Sequence, residues 1–173
     1  VFLLRKGFED VFNSNPYIDR IITFDPKLKG YSNIKNFLRG IEFIGSLSAE
    51  KFDMTIALHP SDRLVFWSWF SKAKIRIAPR KQNFSFLINK KVDVNEDSIS
   101  YLDYYNKIVE SAGVNIDSNR TDFFISSEAE IWANNFFELN HIIEDDIIIG
   151  IHPGASDYSK IWKEENFISL ISN

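Results

Sequence analysis

The residues best suited to chemistry lie in two short loops. The later one reads His152-Pro153-Gly154-Ala155-Ser156-Asp157-Tyr158-Ser159-Lys160 and follows the apolar run Ile147–Ile151. Glu164-Glu165-Asn166-Phe167 then opens a helical pattern. A buried parallel strand that feeds a small-residue loop and a helix start is a common way to hold a phosphate. Loop N–H groups and the helix N-terminus then point at the anion. Gly154 and Ala155 let backbone approach a ligand, Ser156 and Ser159 offer hydroxyls, and Lys160 adds a full positive charge. The same residues also fit an ordinary strand-to-helix turn with a solvated lysine. The order Gly-x-x-x-x-Gly-Lys-Ser/Thr is absent, so this is not a P-loop.

The earlier loop, His59-Pro60-Ser61-Asp62-Arg63, leaves the apolar segment Phe52–Leu58. It reads either as a substrate-contacting loop at a strand exit or as a helix cap formed by Ser61 or Asp62 with Arg63 solvated. Imidazole suits general-base work near neutral pH, which makes His59 a candidate, although a histidine at a strand end also serves as a hydrogen-bonded structural residue. Arg76, Arg80, Lys81, Lys90 and Lys91 form a basic cluster that could meet an anionic acceptor or membrane headgroups, or could be a solvated face. Leu64–Phe70 is apolar nearly all round, as in a buried helix or a patch lying on a membrane. The paired acids Glu144-Asp145-Asp146 and Glu164-Glu165 sit at loops and helix starts, where dipole complementarity accounts for them.

The elements that must position these loops follow from spacing. Strands are predicted at Val1–Leu4, Ile18–Phe24, Phe52–Leu58, Ile75–Ile77 and Ile147–Ile151, with Phe123–Ile125 a strand or an extended link. Phe8–Asn13 reads as a short turn or helix and Lys29–Ser32 as a loop. Helices are predicted from Asn33 to Leu47, Arg63 to Lys72, Ser100 to Ala112 (closed by Gly113) and Ser127 to about Leu139. Strands alternating with helices argue for a parallel, doubly wound sheet, in which ligands sit at the C-terminal ends of strands. Both loaded loops occupy such ends. The expected domain boundary lies in His141–Asp146, giving 1–143 as one domain and 144–173 as the start of another.

The totals limit the classes. The 173 residues are 45% hydrophobic and 25% charged, ordinary for a globular chain, and their net charge of −4 gives no electrostatic reason to expect nucleic acid. The absence of cysteine removes disulfides, thiolate catalysis and cysteine metal sites from this sequence. His59, His141 and His152 lie far apart and show no metal-ligand spacing. The chain begins in what reads as a strand interior, so upstream residues are expected.

In four segments the sequence resembles the family-9 glycosyltransferases, the ADP-heptose:lipopolysaccharide heptosyltransferases and their relatives. His152-Pro153-Gly154-Ala155-Ser156, Lys160-x-Trp162 and Phe167-x-x-Leu170 resemble the segment that opens that family's C-terminal domain. Asn15-Pro16-Tyr17-Ile18-Asp19-Arg20-Ile21-Ile22 is similar to its Asn-Pro-x-(Ile/Val)-Asp-x-(Ile/Val) segment. Phe52-Asp53 through Leu58-His59-x-Ser61-x-Arg63, with Ala73-Lys74-x-Arg76-Ile77, resembles its middle signature. Tyr104 to Gly113 resembles its helix ending in glycine.

The resemblance implies a GT-B architecture, two Rossmann-like domains across a cleft, with this chain holding the N-terminal acceptor-side half and the start of the nucleotide-sugar half. It implies an inverting, metal-independent enzyme without a cofactor. Such an enzyme moves a sugar, heptose in the best-known members, from a nucleotide sugar such as ADP-heptose to a glycolipid of the lipopolysaccharide type. Carried over by position, Lys160, Ser156, Gly154 and Ala155 would bind the nucleotide sugar, and Ser61, Arg63 and His59 would lie on the acceptor side. The family's catalytic aspartate follows its first strand, expected before residue 1, so this piece alone is expected to be inactive. A cytoplasmic bacterial protein, with peripheral contact at the inner face of the inner membrane, is the implied setting. Three departures stand out: Lys163 replaces the usual proline after the tryptophan, Pro60 stands where glycine is common, and the histidine often seen before the Tyr104 helix has no counterpart. The rival from another class is a non-catalytic Rossmann-like module that binds a phosphorylated ligand. A nucleotide-sugar epimerase would need a Gly-x-Gly-x-x-Gly loop, which the sequence lacks.

Overall fold

The computed structural model describes residues 1–25, 34–95, 99–117 and 120–172, with side chains of the first helix from residue 38 onward. The expected loop at 29–32 lies outside the described residues. The chain divides into two compact units, Val1–Ser126 and Ser127–Asn173.

In the first unit β1 (Phe2–Arg5) runs parallel to β2 (Ile21–Phe24), with Phe2 opposite Ile21 and Arg5 opposite Phe24. A short 3-10 turn at Glu9–Val11 lies in their connection. Helix α1 (Ile34–Ala49) follows, with apolar positions recurring at helical spacing. Next come β3 (Met54–Ile56), α2 (Asp62–Phe70), β4 (Ile75–Pro79), a 3-10 turn at Ser85–Leu87, β5 (Lys90–Val92) and α3 (Tyr101–Glu110). The strands β3, β4 and β5 form one parallel ladder in that order, pairing Met54 with Ile75 and Ile77 with Lys90.

The alternation of β4 places helices on both faces of this ladder. Ala78 joins Ala57, Val65 and Ile88 in a core that α2 covers, with Leu64, Phe84 and Leu87 around it. Ile77, pointing the other way, packs on Tyr104 and Ile108 of α3. Ile77, Val65 and Ile108 are each 0% exposed, and complete burial of such a side chain contributes about 1.5–3 kcal/mol. A parallel ladder sandwiched between α2 and α3 is the doubly wound arrangement that the alternating pattern predicts.

Local chemistry sets the ends of α3. The Ser100 hydroxyl oxygen accepts from the Asp103 N–H at 3.1 Å and its hydroxyl donates to the Asp103 carboxylate at 2.7 Å. At the other end Gly113 has φ +91°, a conformation that glycine adopts without a Cβ penalty. The apolar run in α2 is mostly a packed surface: Trp67 lies between Phe24 and Phe43, with ring centroids 4.9 and 5.0 Å away, while Trp69 stays 44% exposed. Each such edge-to-face pair adds about 0.5–1.5 kcal/mol beyond area burial.

The second unit holds α4 (Ser127–Leu139), a 3-10 turn at Tyr158–Lys160 and α5 (Glu164–Ser172). Glu128 and Glu130 occupy the first turn of α4, complementing its dipole. The stretch that follows α4 opens on a helix terminus. His141, at φ 57°, donates its N–H to the Glu138 carbonyl, and the Ile142 N–H reaches the Phe137 carbonyl at 2.9 Å. These are the two bonds of a Schellman motif. Helix α4 thus closes at Leu139, and the two compact units part at Ser126.

One expected strand is corrected. Ile147–Ile151 carries no strand hydrogen bonding, and Ile147, Ile148 and Ile149 are 90%, 60% and 78% exposed. The sequence of the run suits a buried parallel strand, but a strand exists only with a partner, and no strand is present among the described residues of 127–172. Phe123–Ile125 is likewise irregular.

Candidate functional site

The chemistry of the first unit gathers where β3 and β4 end. The β3 exit carries His59, Pro60 and Ser61 into the first turn of α2, and the β4 exit carries Arg80, Lys81, Gln82 and Asn83 alongside it. Pro60, Ser61, Asp62, Lys81, Gln82 and Asn83 line an open pocket of about 500 Å3. Its size falls within the ~300–1,000 Å3 typical of small-molecule sites, and it lies at strand C-termini, where parallel sheets place ligands.

Side-chain amides join the two loops. The Ser61 N–H donates to Gln82 Oε1 at 3.2 Å, and Gln82 Nε2 donates to the Pro79 carbonyl at 2.6 Å. Asn83 Nδ2 donates to Asp62 Oδ2 at 3.0 Å. The Ser61 side chain makes no capping bond to α2, although Ser61 is the N-cap residue and its carbonyl accepts from the Val65 N–H at 3.1 Å. The sequence pattern had offered capping as the alternative role of this serine.

The remaining sequence-predicted residues of this region divide. His59 is exposed and is not among the residues lining the pocket. Arg63 sets its guanidinium carbon 5.7 Å from the Trp67 ring centroid, a cation–π contact outside the pocket lining. Within the basic cluster, Arg80 pairs with Asp93, whose hydrogen bond and charge raise the guanidinium pKa above its ordinary value. Arg76 donates Nε to the Leu87 carbonyl at 2.9 Å and Nη1 to the Ala73 carbonyl at 2.7 Å, a structural use of the fork. Lys81 alone of that cluster lines the pocket. Asn83 and the linking role of Gln82 escape sequence reasoning, since their partners lie 21 residues away. The only signal is an Asn/Gln-bearing loop immediately after a buried strand.

The predicted nucleotide-sugar residues Gly154, Ala155, Ser156 and Lys160 all lie in the second unit, in one exposed stretch. A Cβ on Gly154 would stand 3.2 Å from His152 Cε1, so the imidazole already sits against this backbone. Asp157 caps the turn that carries Lys160: its carboxylate accepts from the N–H and hydroxyl of Ser159, each at 2.9 Å. Those bonds, the backbone one foremost, hold its pKa below the ordinary aspartate value. Trp162 then packs edge-on to Phe167 of α5, with centroids 5.1 Å apart. Among the described residues no group of three or more His, Asp or Glu could hold a metal ion. No described helix is long and apolar enough to cross a membrane.

No protein-family model matches the chain, and no curated protein matches it. Among solved structures, the chain is similar to the crystal structure of the glycosyl transferase family 9 from Veillonella parvula DSM 2008, with a TM-score of 0.78 and 26% identity. That likeness covers 97% of this chain and 48% of the other, so the chain spans about half the length of its structural relative. Parallel βαβ topology, four ordered motifs and this likeness identify the chain as similar to part of a family-9 glycosyltransferase.

Proposed function

We propose that the protein containing this chain transfers a sugar from a nucleotide-sugar donor to a glycan acceptor. The observation that carries the reading is the likeness to a family-9 glycosyl transferase along 97% of the chain. In this reading the first unit presents the acceptor at the ends of β3 and β4. The Lys160 segment of the second unit, with Ser156 and the Gly154–Ala155 backbone, takes the donor's diphosphate. A carboxylate removes the acceptor hydroxyl proton, and the oxygen attacks the anomeric carbon with inversion. The anomeric C–O bond breaks, and its electron pair leaves with the nucleoside diphosphate, stabilised by Lys160 and backbone donors without a metal. ADP-heptose is the proposed donor, a lipopolysaccharide-type glycolipid the proposed acceptor, and the cytoplasmic face of the inner membrane the proposed place.

The test is nucleoside-diphosphate release by the intact protein, supplied with ADP- and UDP-sugars and a glycan acceptor. At least one donor is expected to turn over, and Lys160→Ala is expected to slow it about a hundredfold or more while the protein stays folded. Turnover of some donor unaffected by that substitution would remove Lys160 from the site. Binding of nucleotide sugars without release of diphosphate would replace the enzyme by a ligand-binding module.

A further inference from the structure

We infer that the pocket at the ends of β3 and β4 recognises an uncharged, hydroxyl-rich saccharide and not a phosphorylated one. This rests on the reading of the first unit as the acceptor side and narrows the class of acceptor.

The electrostatics of the lining carry the argument. The two charged residues on it, Asp62 and Lys81, are of opposite sign. Phosphate is gripped by guanidinium forks, by lysine or by the bare N–H groups of a helix N-terminus, and on this lining the lysine, Lys81, is matched by the Asp62 carboxylate. The guanidiniums near the pocket in sequence are not on its lining: Arg63 lies over Trp67, Arg80 pairs with Asp93, and Arg76 donates to the carbonyls of Ala73 and Leu87. The helix terminus nearest the pocket is that of α2, and its first turn already holds the Asp62 carboxylate. A phosphate brought there would meet like charge in the place where the helix dipole would otherwise attract it.

The polar groups that remain suit hydroxyls. A sugar hydroxyl both donates and accepts, and neighbouring hydroxyls on a ring match side chains that offer the same pair. Asp62 and Asn83 supply such a pair, held together by the Asn83 Nδ2 bond to Asp62 Oδ2 at 3.0 Å. That bond leaves the second Asp62 oxygen and the Asn83 carbonyl oxygen as further acceptors. Lys81 adds donors to the lining. Gln82 is a positioning residue: both ends of its amide are committed to backbone, which fixes the loop that bears Lys81 and Asn83.

Calorimetric titration of the intact protein, without donor, tests this. The probes are methyl glycosides of hexoses and heptoses and the phosphate esters of the same sugars. At least one methyl glycoside is expected to bind, its phosphate ester no more tightly. Asp62→Asn and Asn83→Ala are each expected to weaken that binding about tenfold. Thermal unfolding checks that both variants fold, and Asn83 is exposed, so its truncation spares the core. A phosphate ester that binds tenfold more tightly than its uncharged parent would overturn the inference. So would a folded Asn83→Ala that binds the glycoside unchanged, or nucleotide-sugar binding with no saccharide binding at all. Failure of the glycosyltransferase reading shows separately, as no nucleotide sugar bound or consumed.

Discussion

Gln82 offers the sharpest test of how the pocket is built. Its half-buried amide makes one hydrogen bond to the Ser61 N–H at 3.2 Å and one to the Pro79 carbonyl at 2.6 Å, spanning the exits of β3 and β4. Gln82→Met keeps the length and removes both bonds. Losing the first bond costs about 0.5–1.5 kcal/mol, since the Ser61 N–H borders the open pocket and can turn to water, whereas the carbonyl of the buried Pro79 is left without this donor at about 1–3 kcal/mol. The expected loss is therefore about 2–4 kcal/mol. Urea unfolding reads it directly, as a lower midpoint with an unchanged slope. Gln82→Glu separates the two bonds: its carboxylate still accepts from Ser61 N–H but can no longer donate to the Pro79 carbonyl above the acid range. It is expected to be no more stable than Gln82→Met at neutral pH. If Gln82→Met unfolds within about 0.3 kcal/mol of the parent, the two strand exits are held by something other than this amide, and the positioning argument fails.

Other outcomes follow from single residues. Ile77, 0% exposed between β4 and α3, should cost about 2–5 kcal/mol when cut to alanine; a loss under 1 kcal/mol would mean that the α3 face is not packed as described. Gly113→Ala meets no atom within 4 Å, so its expected cost of about 1–2 kcal/mol, read by thermal unfolding, is wholly that of holding alanine at φ +91°. In an NMR titration the Asp157 carboxyl should have its midpoint below that of an ordinary exposed aspartate, because Ser159 donates to its charged form. The contribution of that cap is present above the unfolded-state pKa and is lost as pH falls through the lower folded value. A midpoint at or above the ordinary value would refute the cap.

Much of the first unit was legible in the sequence, for reasons that differ by element. Helix α3 announces itself at both ends, through Ser100 and Gly113, since caps are local chemistry. β4 is legible because Ile75 and Ile77, β-branched and apolar, alternate about Arg76 shortly before Pro79. β5 escaped, because Lys90-Lys91-Val92 at the end of the three-stranded ladder reads as a charged loop. The Ile147–Ile151 run failed in the opposite sense: its composition states a preference for pairing, and pairing depends on residues elsewhere. The site divides in the same way. Ser61 and the 59–63 exit are singled out by their place after a strand, whereas the Gln82 link and the Asn83–Asp62 pair exist only once two loops are brought together. Of the two residues that look like anion ligands by type, Arg80 pairs with Asp93 and Arg63 lies over Trp67.

The bare isoleucines at 147–149 have a practical corollary for anyone handling the polypeptide. An exposed β-branched stretch outside any strand ladder is a template for self-association, copy upon copy, in the manner of a steric zipper. Glu144, Asp145 and Asp146 before it and Asp157 after it act as gatekeepers, because stacked copies would bring like charges together. Acidification that neutralises these carboxylates should remove that safeguard and precipitate the material, and a lysine in place of Ile148 should keep it in solution.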